Sequence, residues 1–177
     1  MTPRPATERL VARALAHVGA KRARIADVGT GSGAVAVAIA LRAPQAEIWA
    51  VDVSRAAVEL ARANVARYGV GARVHVVHGQ LLEPVPGALD LVVANLPYLP
   101  EGLRVEDAYA DLLAEPAAAV FAPGDGLGPY RRLLAATEWR LRDEGALLIQ
   151  YRGAVFEARR SELRRLLTEL EEQALAA

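Results

Sequence analysis

Two clusters in this sequence carry residue types that can do chemistry. The first is Asn95-Leu96-Pro97-Tyr98. The Asn95 side-chain oxygen and the Leu96 backbone carbonyl can each accept one N–H of a planar NH2 group. The nitrogen of such a group is a poor nucleophile because its lone pair is delocalised. Held in line with an electrophilic methyl, it reacts by direct displacement, and the two acceptors stabilise the charge that develops. Tyr98 can stack on the planar group and offer its π face to that charge, and Pro97 stiffens the turn. No general base is required, because the proton leaves after the methyl arrives. The same four residues also spell an ordinary Asn-x-Pro turn leaving a strand.

The second cluster is Asp27-Val28-Gly29-Thr30-Gly31-Ser32-Gly33, with Asp52 and Val53 further on. Glycines between a strand and a helix let the backbone turn tightly and let a ligand approach where a Cβ would collide. A carboxylate at Asp52 can accept both hydroxyls of a ribose, while Asp27 can orient the loop or accept a bond from a ligand ammonium. A nucleoside-type ligand is the leading expectation, with Gly29, Thr30, Gly31, Gly33, Asp52 and Val53 around it. Three readings of the loop stay open: a methyl donor such as S-adenosylmethionine, a nicotinamide dinucleotide (Gly29-x-Gly31-x-x-Ala34 fits that fingerprint too), and a turn used only for packing.

The elements that must position these clusters alternate strand and helix. Ala23–Gly29 reads as a strand and Ala34–Arg42 as a helix. Glu47–Val53 is a second strand, with Ser54 as N-cap of a helix over Arg55–Tyr68 that Gly69 and Gly71 end. Arg73–Gly79 and Leu89–Asn95 are the third and fourth strands. Leu99–Gly128 is a Pro- and Gly-punctuated excursion with a short helix around Val105–Leu113. A helix at Tyr130–Leu141, a turn at Gly145, a fifth strand at Ala146–Tyr151 and one helical stretch over Ala154–Gln173 complete the chain. This pattern predicts an α/β, doubly wound, mostly parallel sheet in one domain over residues 1–177, covered by helices on both faces. Ligands of such sheets sit beyond the carboxyl ends of the strands, at the switch in strand order. Both clusters fall at such strand ends.

Composition narrows the field. With 177 residues, 53% of them hydrophobic, the chain can bury a core of its own. The absence of Cys excludes disulfides and thiolate metal sites. Formal charge is zero, with 21 basic and 21 acidic side chains, which weighs mildly against a broad nucleic-acid footprint. No segment reads as a signal peptide or a membrane span, so a cytoplasmic protein without a membrane partner is expected. His17, His75 and His78 share no metal-ligand spacing, and local packing is the expected use of the latter two. Arg159, Arg160, Arg164 and Arg165, interleaved with Glu157, Glu162 and Glu169, read as a solvated helical face. Glu106 and Asp107 read as loop surface.

The chain resembles the HemK-type protein (glutamine-N5) methyltransferases, which modify a glutamine of peptide-chain release factors. Four stretches carry the likeness in order: Pro3-Arg4-Pro5-Ala6-Thr7-Glu8, the loop Asp27–Gly33, Asn95–Tyr98, and Glu115-Pro116 through Gly124-Asp125-Gly126-Leu127 to Tyr130-Arg131. The resemblance implies a Rossmann-like class I S-adenosylmethionine-dependent methyltransferase fold. It also implies a methyl donor on Gly29, Gly31 and Asp52, and the target amide on Asn95 and Tyr98. Departures are specific. Leu96 stands where the family usually has Pro, and Asn-Leu-Pro-Tyr is also typical of ribosomal-RNA adenine dimethyltransferases. Gln80 replaces the Asp that reads the adenine amino group, and Gln150 replaces a Glu.

The family's N-terminal helical docking domain and its closing pair of strands are expected to be missing, giving a C-terminally shortened fold whose fifth strand is a sheet edge. Leu163, Leu166, Leu167 and Leu170 form a buried-face stripe that either packs on the sheet or, with the open edge, supports a homodimer. The leading function is therefore methylation of a glutamine amide in a release-factor-like protein. Its rivals are an N6-adenine methyltransferase acting on RNA or DNA, a non-catalytic S-adenosylmethionine-binding remnant or subunit, and a dinucleotide-dependent oxidoreductase that would leave Asn95–Tyr98 unexplained.

Overall fold

In the computed structural model of the chain, residues 5–101 and 116–175 are described. The apolar runs pair side by side: β1 (Ala23–Val28), β2 (Ala46–Asp52), β3 (Val74–His78), β4 (Leu89–Ala94) and β7 (Leu141–Tyr151) form a parallel set in the order β3-β2-β1-β4-β7. Every β1 and β4 residue but one in each is buried, as strands covered on both faces must be. Alternate side chains feed two cores. Ile25, Ile48, Leu91 and Leu148 face α1 (Pro5–Val18) and α2 (Ala34–Arg42), with Val65 of α3 (Arg55–Arg67). Ala26, Val51, Val92 and Leu147 face α5 (Gly128–Glu138) and α6 (Leu163–Leu175). Strand order turns at β1/β4, which places the switch-point crevice above those two strands. Among the described residues no helix is long and apolar enough to cross a membrane.

The expected strands and the helices α2 and α3 are present, and Ser54 caps α3 by accepting the Ala57 N–H at 3.3 Å. Four features differ from expectation. The stretch Ala154–Gln173 is not one helix: β8 (Ala154–Arg159) runs antiparallel to β7, followed by a 3₁₀ turn at Arg160–Glu162 and then α6. Arg152 (φ 47°) and Gly153 (φ 81°) make the two-residue turn that twists a hairpin correctly. The ladder on the exposed edge of β7 outweighs the helical propensity of Glu157 and Ala158. The fifth parallel strand is thus covered, and one closing strand is present. Of the leucine stripe, Leu163, Leu166 and Leu170 are buried in the core on that face of the sheet, and Leu167 is partly buried beside them.

Second, the turn at Gly145 is an irregularity inside a longer β7, where the register moves from Leu89↔Leu141 to Leu91↔Ala146. Third, α1 was not foreseen, although Leu10, Val11, Ala14 and Val18 bury one face of it. Fourth, the excursion after β4 is pinned at its base. β5 (Leu99–Pro100) pairs with β6 (Phe121–Ala122), which follows the short α4 (Ala117–Val120). The helix expected around Val105–Leu113, with Glu106 and Asp107, lies outside the described residues.

Candidate active site

The glycine loop is wired by its own neighbours. Asp27, at the end of β1, is buried. Its Oδ2 accepts the Thr30 hydroxyl at 2.6 Å and the Ala36 N–H at 3.1 Å, so it orients the loop against the first turn of α2. Burial raises this carboxyl to about 6, against the pull of those two hydrogen bonds, and the charge of Asp52 adds to the rise. The N–H groups of Gly29 and Thr30 both reach the Val51 carbonyl, carrying the β1/β2 ladder into the loop. Asp52 closes it from the other side: Oδ2 accepts Gly31 N–H at 2.9 Å and Oδ1 accepts Ser54 N–H at 2.9 Å. Each oxygen keeps a further lone pair, which is what a cis-diol needs.

Val53 follows with 67% of its surface exposed, an apolar face beside the crevice. Gly79 donates to the Asp52 carbonyl at 3.0 Å, so Gln80, exposed, begins one residue from Asp52. His78 contacts the Val53 carbonyl and His75 lies 3.0 Å from Glu47, the local uses expected of both. Gly33 opens α2 in the left-handed conformation.

The second cluster meets the first directly. Gly29 has φ 70°, and a Cβ there would stand 2.7 Å from Leu96 Cδ2. The loop after β4 thus lies against the loop after β1, at a positive φ that favours glycine. Asn95 is half-buried, Leu96 buried, and Pro97 and Tyr98 half-buried. The Tyr98 ring meets Tyr151 edge-on at 5.3 Å, and Tyr151 meets Tyr130 at 5.5 Å. The glycine loop and the loop that carries Asn95 and Leu96 thus lie side by side.

Residues 5–128 match the family model of the methyltransferase small domain. The chain belongs to that family. The release factor glutamine methyltransferase of Gloeobacter violaceus is 39% identical to the chain over 152 residues, which are 85% of this chain and 53% of that protein. Its counterpart in Bordetella pertussis is 40% identical over 170 residues, 93% of this chain and 61% of that protein. The chain thus spans little more than half the length of these curated relatives. Among solved structures, the ribosomal protein L11 methylase of Lactobacillus delbrueckii subsp. bulgaricus superposes with a TM-score of 0.57 at 23% identity, over 82% of this chain and 60% of that one, which shows a shared fold.

In this family member the expected residues lie at or just beyond the carboxyl ends of β1, β2, β3 and β4, with Gly29 against Leu96, Asp52 on Gly31 and Gln80 next to the Gly79 that donates to the Asp52 carbonyl. Tyr130, expected only at the start of a helix and in the resemblance, and Gly126 join the site as well. Their contacts to Leu96 and Tyr98 span long stretches of sequence, and no local pattern announces them.

Proposed function

We propose that the chain is a single S-adenosylmethionine-dependent methyltransferase domain of the cytoplasm, acting on a glutamine side-chain amide in a release-factor-like protein. The observation that carries this is the contact of bare Gly29 with Leu96, which sets a donor-binding loop edge to edge with a pair of N–H acceptors. The residues present fit the donor. Asp52 offers lone pairs to ribose hydroxyls, Val53 and Gln80 flank that position, and Gly29, Thr30, Gly31 and Gly33 let the backbone come close. Asp27 acts by holding the loop.

When bound, S-adenosylmethionine supplies an electrophilic sulfonium methyl. The Asn95 side-chain oxygen and the Leu96 carbonyl hold the two N–H bonds of the acceptor, so its lone pair faces that methyl. Tyr98 covers the amide plane and Pro97 keeps the carbonyl in place. The positive charge that would develop on the acceptor nitrogen would lie beside these two oxygens, which would stabilise it, and the nitrogen would then give one proton to solvent. The curated relatives, named for glutamine methylation, support the amide as acceptor.

One departure favours a second reading. Leu96 gives the motif the form shared with adenine dimethyltransferases, and an exocyclic adenine amine in RNA or DNA would fit the same acceptors and stack on Tyr98. Labelled methyl from S-adenosylmethionine, offered separately to a purified release factor and to ribosomal RNA, tests both. Label on a glutamine supports the amide reading, label on RNA replaces it with adenine, and bound donor without transfer leaves a binding remnant or subunit.

A further inference from the structure

We propose that Tyr130 is a positioning residue for methyl transfer, its phenolic O–H holding the Leu96 carbonyl in place for the acceptor. This deepens the function proposed above and rests on it. Tyr130 is fully buried, and its oxygen lies 2.8 Å from the Leu96 carbonyl oxygen and 2.7 Å from that of Gln150. The last ladder pair between β4 and β7 is Ala94↔Ile149. Beyond it the strands diverge, and two carbonyls from neighbouring strand ends point at one hydroxyl. A hydroxyl has a single proton, so it donates to one carbonyl at a time while keeping the pair from facing each other unscreened. When the proton turns to Leu96, one lone pair of that carbonyl is taken by Tyr130 and the other remains for an acceptor N–H.

The segment bearing Tyr130 is built to seat it. Gly126 has φ 82°, and a Cβ there would collide with the Tyr98 carbonyl, so this segment packs on the far end of the acceptor loop, backbone against backbone. Asp125 accepts the Leu127 N–H at 3.0 Å and pairs with Arg131 at 2.8 Å, and Arg131 reaches Glu171 of α6 at 2.9 Å. The loop is thereby gripped at Leu96 by a hydroxyl and at Tyr98 by backbone, while Tyr151 bridges the rings of Tyr98 and Tyr130. Burial pushes the Tyr130 phenol well above its ordinary value, so it stays a donor at neutral pH.

The test is Tyr130→Phe in the full chain, which keeps the ring and removes only the hydroxyl. Heat denaturation and S-adenosylhomocysteine affinity are read beside the transfer kinetics with a release factor as acceptor. The expected result is a kcat lower by about tenfold to a hundredfold, with KM for S-adenosylmethionine and S-adenosylhomocysteine affinity unchanged. The pH profile should keep its shape, because the lost group is a permanent donor and not a titrating base. An unchanged kcat in a folded variant overturns the proposal, as does a loss matched by equal weakening of donor binding, which marks a purely structural role. If Tyr130→Phe does not fold, 3-fluorotyrosine placed at position 130, which keeps the ring and the hydroxyl but alters its hydrogen-bond strength, decides: a changed kcat with unchanged S-adenosylhomocysteine affinity supports the proposal, and an unchanged kcat overturns it. Absence of turnover by the unaltered chain on every acceptor is a separate outcome, which sinks the function itself and this inference with it.

Discussion

The two halves of the crevice are held by different means. On the proposed donor side, the loop after β1 is tied by Asp27, Thr30, Ala36 and Asp52, residues close in sequence or on adjacent strands, and the ties are hydrogen bonds to carboxylates. On the acceptor side, the loop after β4 is held by groups far along the chain: the Tyr130 hydroxyl, the backbone at Gly126 and the Tyr151 ring. A carboxylate-wired loop is self-sufficient once β1 and β2 pair. A loop held by a distant phenol is set only when α5 has docked. Donor binding and methyl transfer should therefore be separable by mutation.

The largest effect is expected at Asn95. Asn95→Ala removes one of the two acceptors proposed for the reacting nitrogen and should lower kcat by about a hundredfold to a thousandfold. S-adenosylhomocysteine binding, followed by calorimetry, should stay unchanged; full activity on the true acceptor would remove Asn95 from the mechanism. Next is Asp52→Ala, which deletes a charged acceptor on the donor side and strands the Gly31 and Ser54 N–H groups. S-adenosylhomocysteine affinity should fall roughly tenfold to a hundredfold. If it held while kcat collapsed, the division into halves would be wrong.

Third is a pH dependence carried by Asp27. Its folded pKa, about 6, lies above the ordinary 3.8, so the folded state binds this proton more tightly than the unfolded chain. The stability it contributes is complete below 3.8 and is lost as pH rises through 6, by roughly 3 kcal/mol at most. Thermal melts of Asp27→Asn and the unaltered chain should therefore converge at low pH, and the variant should gain relative stability up to neutrality. A parallel pair of curves would show that Asp27 is not perturbed. Asp125 shifts the other way, its carboxyl lowered first by the Arg131 hydrogen bond, so its contribution is lost only below 3.8. The smallest effect is that of Ser54→Ala, which removes the α3 cap but leaves the Ser54 N–H on Asp52. It should cost about 1 kcal/mol in denaturant melts with donor affinity unchanged.

The donor side was legible from residues alone because its logic is local. A glycine loop after an apolar strand, a carboxylate ending the next strand and a Ser N-cap are short-range signals, and each lies where expected. The acceptor motif was legible as chemistry, but its support was not, since nothing in Gly126 or Tyr130 by itself points to Tyr98 or Leu96. The misread stretch Ala154–Arg159 teaches the same lesson. Its Glu, Ala and Arg content favours helix, and the Arg152-Gly153 turn that reverses the chain was passed over.

The sequence by itself determined the alternation of strand and helix, the doubly wound sheet and the two clusters at its carboxyl ends, because periodicity and turn chemistry act over a few residues. Only the tertiary structure decided that Gly29 touches Leu96, that one phenol bridges the ends of β4 and β7, and that β8 closes the edge. Those are contacts between segments far apart in the chain, where hydrogen-bond partners and close approach depend on which surfaces the sheet brings together.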